Sequence, residues 1–498
     1  MQHSTILVRA DADATMGIGH VMRCLALMQA WKTHGGRAVF VSQPMDPRLE
    51  TRIRQTRCEM VALASHEECP EHLEETLQAC LDFQPSWVIA DGYQFTPAFH
   101  KAIRQSGQRL LVIDDYGHLV EYHADILVNP NITAHSISYP MNSGAKVLSG
   151  TKYVFLRPEF LRYLSWTRNV PDRVNRILIT LGGSDPENVT AKVVEAVRMM
   201  DDPELEIKVV AGAANRHVLS LQALLGSLRS NAELIHDASS MPELMAWADL
   251  AVTAAGCTCW EMALMGLPFV SVVLADNQKE IAAALQERGL SVDMGWHTSF
   301  GIDALCRVLT GLRANRPQRE SMHRKGKEVV DGYGTERVIM HLSGEQVWFR
   351  PAIEADSRQL WEWANDPDVR SVSFNATPIP WKNHQVWLQG KLADSSCLLL
   401  IAFDSEEVAI GQVRFDMNED GATISISIAQ SSRGKGLGPA MLRQACQLFW
   451  MQHPSLSIQA YIMPGNTASL KAFVKAGFLE NGQVLIYNQQ AIKMVLEC

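Results

Sequence analysis

Short apolar runs alternate with helical patterns from the start of this chain, and the whole alternation begins again after residue 150. The first round reads STILVRA, HVMRCLALMQAWKTHG and RAVFVSQ, with SWVIADG and RLLVIDD further on, each preceded by an amphipathic stretch. Strands separated by helices pair in parallel, because each connection must cross over the sheet, and the crossing helices cover both faces. The second round reads RILITLGGSD, ELEIKVVAG, AELIHD, LAVTAAG and PFVSVVL. Two doubly wound halves in succession predict a cleft between two Rossmann-like domains, with ligands at the carboxyl ends of the strands. From residue 346 the pattern changes. QVWFRPAIEADSRQLWEWAND reads as a strand and a helix, and LLLIAF, EVAIGQVRFDM and ATISISIA make the region strand-rich. The expected fold is therefore α/β in two Rossmann-like domains, residues 1–150 and 151–343, followed by an α+β domain over residues 346–498. The polar, charged segment LRANRPQRESMHRKGKEVVDGYGTERV precedes that last boundary.

Composition removes several function classes. A net charge of -9 argues against a nucleic-acid binder, which needs a basic surface. The ten cysteines include no CxxC pair and no Cys/His cluster at zinc spacing. They read as reduced core thiols, and no metal is expected. MQHSTILVRADAD lacks the charged and apolar regions of a secretory signal. No apolar run approaches the roughly 20 residues of a membrane span, so a cytoplasmic location and no membrane partner are expected. Oligomeric state is left open.

The first candidate site follows the first strand. In DADATMGIGHVMRCLALMQAW, Gly17 and Gly19 bracket Ile18, and His20 opens an amphipathic helix. Glycines permit a tight turn and close backbone approach. A helix N-terminus presents unpaired N–H groups and a positive dipole end, which suits phosphate. His20 and Arg23 lie three residues apart and share a helix face. Taken alone, this motif also fits a tight turn with a surface histidine. The second round repeats the arrangement. Gly182, Gly183 and Ser184 follow a strand, as do Gly256 and Thr258, with Glu261 on the next helical turn. Glu261 is placed to accept hydrogen bonds from a ribose diol, or to act only as a helix-dipole carboxylate. Asn277 and Gln278 end another strand and can hold a sugar or phosphate. Asp11, Asp91 and Tyr93 stand at strand ends and can orient His20 or bind the sugar. Asp114 and Asp115 can do the same, or serve in turn chemistry.

These stretches carry a resemblance. RADADATMGIGHVMRC, IADGY, LVIDD, ILVNPN, YVFLRPEF, LGGSD, GCTCWE and ADNQ, in that order, resemble the UDP-sugar hydrolases of the pseudaminic acid pathway, which are similar to MurG-type glycosyltransferases of the GT-B fold. The resemblance implies hydrolysis of UDP-2,4-diacetamido-2,4,6-trideoxy-β-L-altropyranose to UDP and the free sugar. Water attacks the anomeric carbon, with His20 as general base. It also implies UDP-sugar contacts from Gly17, Gly19, Arg23, Gly182, Gly183, Ser184, Gly256, Thr258, Glu261, Asn277 and Gln278.

A second candidate site lies in the third region. Ile424, Ile426 and Ile428 alternate along a strand, and Arg433-Gly434-Lys435-Gly436-Leu437-Gly438 leads into a helix. The glycines expose consecutive backbone N–H groups, a nest for a pyrophosphate. The loop resembles the RxxGxG acetyl-CoA loop of the GNAT acetyltransferases, and NTASLKAFVKAGF resembles a later segment of that superfamily. The resemblance implies acetyl-CoA as co-substrate, held by Ile428, Arg433, Gly434, Gly436, Gly438, Asn466 and Ser469. Phe473 stands where the superfamily often has its tyrosine general acid, which leaves Tyr461, Ser469 or water for that role. WEWANDPDVRSVSFNATPIPWKNHQVWL resembles the acceptor side of an acetyltransferase acting on a UDP-4-amino-sugar, with Asn365, Arg370, Ser373, His384 and Trp387 as candidates. The tryptophans equally fit a core. Three functions remain in view: hydrolase plus acetyltransferase, a MurG-like glycosyltransferase with an appended acetyltransferase, and a sugar-nucleotide sensor carrying a protein acetyltransferase.

Overall fold

A computed structural model describes residues 4–12, 18–64, 72–141, 144–419 and 421–497. The first sheet holds β1 (Thr5–Ala10), β2 (Arg37–Ser42), β3 (Glu59–Ala62), β4 (Trp87–Asp91), β5 (Leu110–Ile113), β6 (Ile126–Asn129) and β7 (Lys146–Ser149). These strands pair in parallel in the order β3-β2-β1-β4-β5-β6-β7. Helices on both faces explain why every residue of β1 and β4 is buried, with no polar alternation. Leu7, Val39, Val88, Phe95 and Phe99 form the core beneath one face.

The second sheet holds β8 (Arg176–Thr180), β9 (Glu206–Ala211), β10 (Asn231–His236), β11 (Leu250–Ala254), β12 (Phe269–Val273) and β13 (Ser291–Trp296). It is again parallel, in the order β10-β9-β8-β11-β12-β13. Each sheet starts at its middle, builds outward to one side and then crosses to the other. The reversals fall between β1 and β4 and between β8 and β11, where the loops part and leave a crevice. Chain contacts place both sheets in one unit that ends at Thr335.

The second unit begins at Glu336, ahead of the boundary at 343–346 expected from composition. Its sheet holds β14 (Trp348–Pro351), β15 (Cys397–Phe403), β16 (Ala409–Asn418), β17 (Gly421–Ile428), β18 (Ile458–Ile462), β19 (Leu479–Ile486) and β20 (Gln489–Leu496). Their order is β14-β15-β16-β17-β18-β20-β19. Only β17 and β18 run parallel, paired at Ala422–Ile458 and Thr423–Gln459. Beyond Thr423 the two strands part, so β17 reaches Ile428 with one side open, just before the glycine loop. Val413 and Phe415 of β16 face the helix Leu437–Gln452, where Phe415 stacks on Phe449 at 4.5 Å.

Candidate active site

The helix Gly19–Thr33 starts at the first reversal point, and its position overrides the amphipathic pattern expected of it. Its first turns are buried on nearly every side, His20 and Arg23 included. Charged groups in such a place need partners, and the ends of β4 and β5 supply them. His20 Nδ1 lies 2.6 Å from Asp91 Oδ1. Arg23 clamps the same carboxylate through Nε and Nη2, both at 2.6 Å, and reaches Asp115 Oδ1 through Nη1 at 2.6 Å. Burial alone would raise the Asp91 carboxyl, but Arg23 and His20 outweigh it and hold Asp91 well below the usual carboxylate range. Asp115 is likewise lowered, mainly by Arg23 against burial. Nδ1 of His20 thus meets both Asp91 Oδ1 and Arg23 Nη2, at 2.6 and 3.0 Å, and Nε2 is the other ring nitrogen.

Tyr93 closes this cluster. Its hydroxyl donates to Asp115 Oδ2 at 2.8 Å and accepts from Asn277 Nδ2 at 2.8 Å, and its ring stands edge-on to His20 at 4.9 Å. Burial, then Asp115, pushes the phenol up, so it stays a donor. A continuous chain thus runs from Asn277, at the end of β12, through Tyr93, Asp115, Arg23 and Asp91 to His20. Asp11 is placed elsewhere: it binds Arg9 Nη1 at 2.6 Å, the Gln43 backbone N–H at 2.8 Å and Gln94 Nε2 at 2.8 Å. Asp114 holds His118, Tyr122 and the Gly117 N–H. Gly17 lies outside the described residues.

The glycine loops of the second sheet meet the start of the Gly19–Thr33 helix at close range. A Cβ on Gly183 would stand 3.0 Å from Ile18, and one on Gly19 would stand 3.7 Å from Cys257 Sγ. Gly182 adopts φ +94°, open to glycine alone. Gly256 comes next to Gln278, whose Oε1 accepts from the Leu274 N–H at 2.9 Å. Thr258 begins a short helix that no side chain caps. Glu261, on that helix, binds Arg157 Nε at 2.8 Å; burial raises its carboxyl and Arg157 pulls it back. Beside Ser184 lies a cavity of about 380 Å³, lined by Ile18, Asp46 and Leu49 from the first sheet and by Ala214 and Arg216 from the second. Arg48 reaches Ala213 O at 3.3 Å and Arg52 reaches Asp237 at 2.9 Å across the same cleft.

Sequence reasoning missed Arg157 and Gly212. A Cβ on Gly212 would fall 2.4 Å from Gly183 O, so this glycine lets the Gly182–Gly183 turn settle against the end of β9. The available signal was the glycine directly after the apolar run of β9.

In the second unit, Gly434 and Gly436 have φ +75° and +78°, and a Cβ on either would meet nothing within 4 Å. Gly436 precedes the helix Leu437–Gln452, and no side chain caps that helix. Its first N–H groups, beside the open end of β17, therefore suit the pyrophosphate of acetyl-CoA. Gly438 sits 3.2 Å, by its missing Cβ, from Ile428. Asn466 accepts from the Ser469 N–H at 3.1 Å, so this pair caps the helix Thr467–Lys475. Phe473 is buried against Phe478 in the core and carries no acid. Arg433 binds Asp366 and Asp368 at 2.9 and 3.0 Å, two residues that sequence reasoning did not single out. Asn365 holds Ile379 by two hydrogen bonds, and Arg370 binds Asn375 O and Ser373 Oγ. His384 is buried between Trp381 and Trp387, and burial lowers its pKa.

Comparisons with known proteins bear on the fold of each part. Residues 177–333 match the glycosyltransferase family 28 C-terminal domain, and residues 346–479 match the acetyltransferase (GNAT) domain. An uncharacterized protein of Methanocaldococcus jannaschii is 23% identical over 95% of this chain and 96% of its own length, so it spans both parts. The UDP-2,4-diacetamido-2,4,6-trideoxy-beta-L-altropyranose hydrolase of Campylobacter jejuni is 22% identical over 58% of this chain and 98% of its own. Acinetobacter baumannii MurG superposes with a TM-score of 0.51 at 16% identity, over 69% of this chain and all of that one. The chain thus joins a MurG-like two-sheet region, homologous to the pseudaminic-pathway UDP-sugar hydrolase, to a GNAT acetyltransferase domain.

Proposed function

We propose that the first unit hydrolyses UDP-2,4-diacetamido-2,4,6-trideoxy-β-L-altropyranose to UDP and free sugar, and that the second unit N-acetylates its UDP-4-amino-sugar precursor from acetyl-CoA. The buried His20–Asp91–Arg23 cluster opposite two glycine loops carries the reading. In this reading UDP lies along the loops at Gly182–Ser184 and Gly256–Thr258, with Glu261, Asn277 and Gln278 around it. Their N–H groups stabilise the charge that develops on the departing phosphate. Water attacks the anomeric carbon, the bond from that carbon to the phosphate oxygen breaks, and the water proton passes to His20 Nε2. Asp91 and Arg23 hold the imidazole in place, and Tyr93 backs them. No metal takes part in this scheme.

In the second unit, acetyl-CoA supplies the acetyl thioester, held by the N–H groups of Gly434–Gly438 beside β17. The residues on the acceptor side bring the sugar amine against it, and its nitrogen attacks the thioester carbonyl. The C–S bond breaks, and coenzyme A leaves as the thiol with the proton that the amine gives up. Most of the rate comes from the alignment. Each reaction's product or substrate is the other's, which gives the fusion its reason. We place both in the cytoplasm, acting on small molecules. Among the described residues no helix is long and apolar enough to cross a membrane. The test is incubation of the full chain with UDP-4-amino-sugar and following UDP. Release that requires acetyl-CoA supports the reading. Release without acetyl-CoA, or acetylated UDP-sugar that is never cleaved, rejects it.

A further inference from the structure

Arg433 opens the glycine loop, yet all three of its guanidinium nitrogens are engaged within the unit. Nη2 meets Asp366 Oδ1 at 2.9 Å, Nη1 meets Asp368 Oδ2 at 3.0 Å, and Nε donates to Ile428 O at 3.1 Å. The two carboxylates belong to the acceptor side. Asp366 caps the helix Pro367–Ser371 by accepting from the N–H groups of Asp368 and Val369, at 3.0 and 3.2 Å. The segment after that helix, residues 372–380, is largely exposed. Its far end is tied down where the Ile379 N–H donates to Asn365 Oδ1 at 2.7 Å and Trp361 Nε1 donates to Ile379 O at 2.7 Å. Its near end follows the helix whose capping residue, Asp366, Arg433 holds, and Gln489 Nε2 donates to Phe374 O at 2.8 Å.

One cation therefore joins the acetyl-CoA loop to the strap that borders the amine site. Arg433 is followed directly by Gly434 at φ +75°. Any adjustment of this turn around a pyrophosphate moves the guanidinium, and charge-assisted bonds at these lengths pass the motion to Asp366 and Asp368. We infer that Arg433 is a positioning residue that locks the strap 366–380 to the acetyl-CoA loop, so that filling the loop orders the strap and completes the amine site. This rests on the acetyl-transfer reading of the unit. Linkage makes the effect reciprocal: the amine substrate should tighten coenzyme A by the same factor by which coenzyme A tightens the amine.

The test is hydrogen exchange on the full chain with and without saturating coenzyme A. Coenzyme A should slow exchange in residues 433–440 and, in the native chain, in residues 366–380 as well. In Arg433→Ala the strap should lose that protection while the loop keeps it. The double variant Asp366→Asn with Asp368→Asn guards against a misfolded loop. It leaves Arg433 bound to Ile428 and retains a capping side chain, since asparagine caps as well as aspartate. It should behave like Arg433→Ala. In steady state both variants should raise KM for the UDP-4-amino-sugar about tenfold, within the usual range of coupling, and by calorimetry the tightening of coenzyme A by that sugar should be lost in both. Arg433→Lys should recover part of the loss, because an ammonium reaches one carboxylate but not two. Strap protection that survives in the variants, or none in the native chain although calorimetry shows coenzyme A bound, overturns the inference alone. A native chain that binds no coenzyme A overturns the acetyl-transfer reading and this inference with it.

Discussion

His20 is a cleaner target than its neighbours, because removing it leaves Asp91 held by two bonds from Arg23. Arg23→Ala, by contrast, strands two buried carboxylates, a change that costs about 3–5 kcal/mol and confuses catalysis with folding. His20→Ala should lower UDP release roughly a hundredfold or more, the scale of a lost general base, with acetyl transfer unchanged. Near-normal UDP release from the variant would reject His20 as the base. A second prediction concerns His100, which is buried against Tyr122 with no hydrogen-bond partner on either ring nitrogen among the described residues. Burial, then His123 and His118, pushes it down to about 4, with Asp114 pulling the other way. The unfolded chain binds that proton near pH 6.5, so between 6.5 and about 4 it holds more protons than the folded one. His100's contribution is complete above pH 6.5 and drains away as pH falls towards 4. Urea midpoints for the first unit should decline over this window, and His100→Phe should flatten the decline. An unchanged slope in the variant would assign the acid sensitivity to other groups.

Among the elements, the loops at strand ends matter most. Their positions follow from strand order, but their shape depends on single glycines. Gly212→Ala drives a methyl into the backbone of Gly183, which cannot swing aside as a side chain would. Overpacking of this kind costs about 1–3 kcal/mol. Because the strain falls on the turn at Gly182–Ser184, UDP should bind more weakly by calorimetry, together with a lower melting temperature. A variant that melts lower but binds UDP normally would separate Gly212 from the nucleotide site. The element pattern itself was legible: the strands named from alternation in RILITLGGSD and ELEIKVVAG are β8 and β9. The amphipathic pattern expected for the helix at Gly19 failed, because a helix at a reversal point is covered by the sheet and by facing loops, and its polar residues turn inward to partners.

At the scale of the molecule, each sheet has apolar clusters of its own. Val174 to Met322 and Ile132 to Val330 supply the second sheet's two faces, while Val347 to Met494 supplies the third sheet. A unit with its own core folds alone. A chain ending at Thr335 should remain soluble and release UDP from the pre-acetylated substrate at close to the full-length rate. Aggregation of that fragment, or loss of its UDP release, would show that the second unit is required by the first.

The amino-acid order alone determined what is local: strand and helix periodicity, the turns built on Gly182 and Gly436, and the pairing of His20 with Arg23 on one helix face. These depend on residues a few positions apart, so they can be read in one pass. Tertiary structure decided which carboxylates answer them. Asp91 lies 71 residues from His20 and Asp115 lies 92 from Arg23, and both arrive because β4 is laid beside β1, and β5 beside β4, after the chain reverses. Arg433 was legible as part of a glycine loop, but its partners Asp366 and Asp368 were not, and Asp368 lies 65 residues away. A buried or half-buried charge takes the partner that the fold brings within reach, and no periodicity in the sequence encodes that distance.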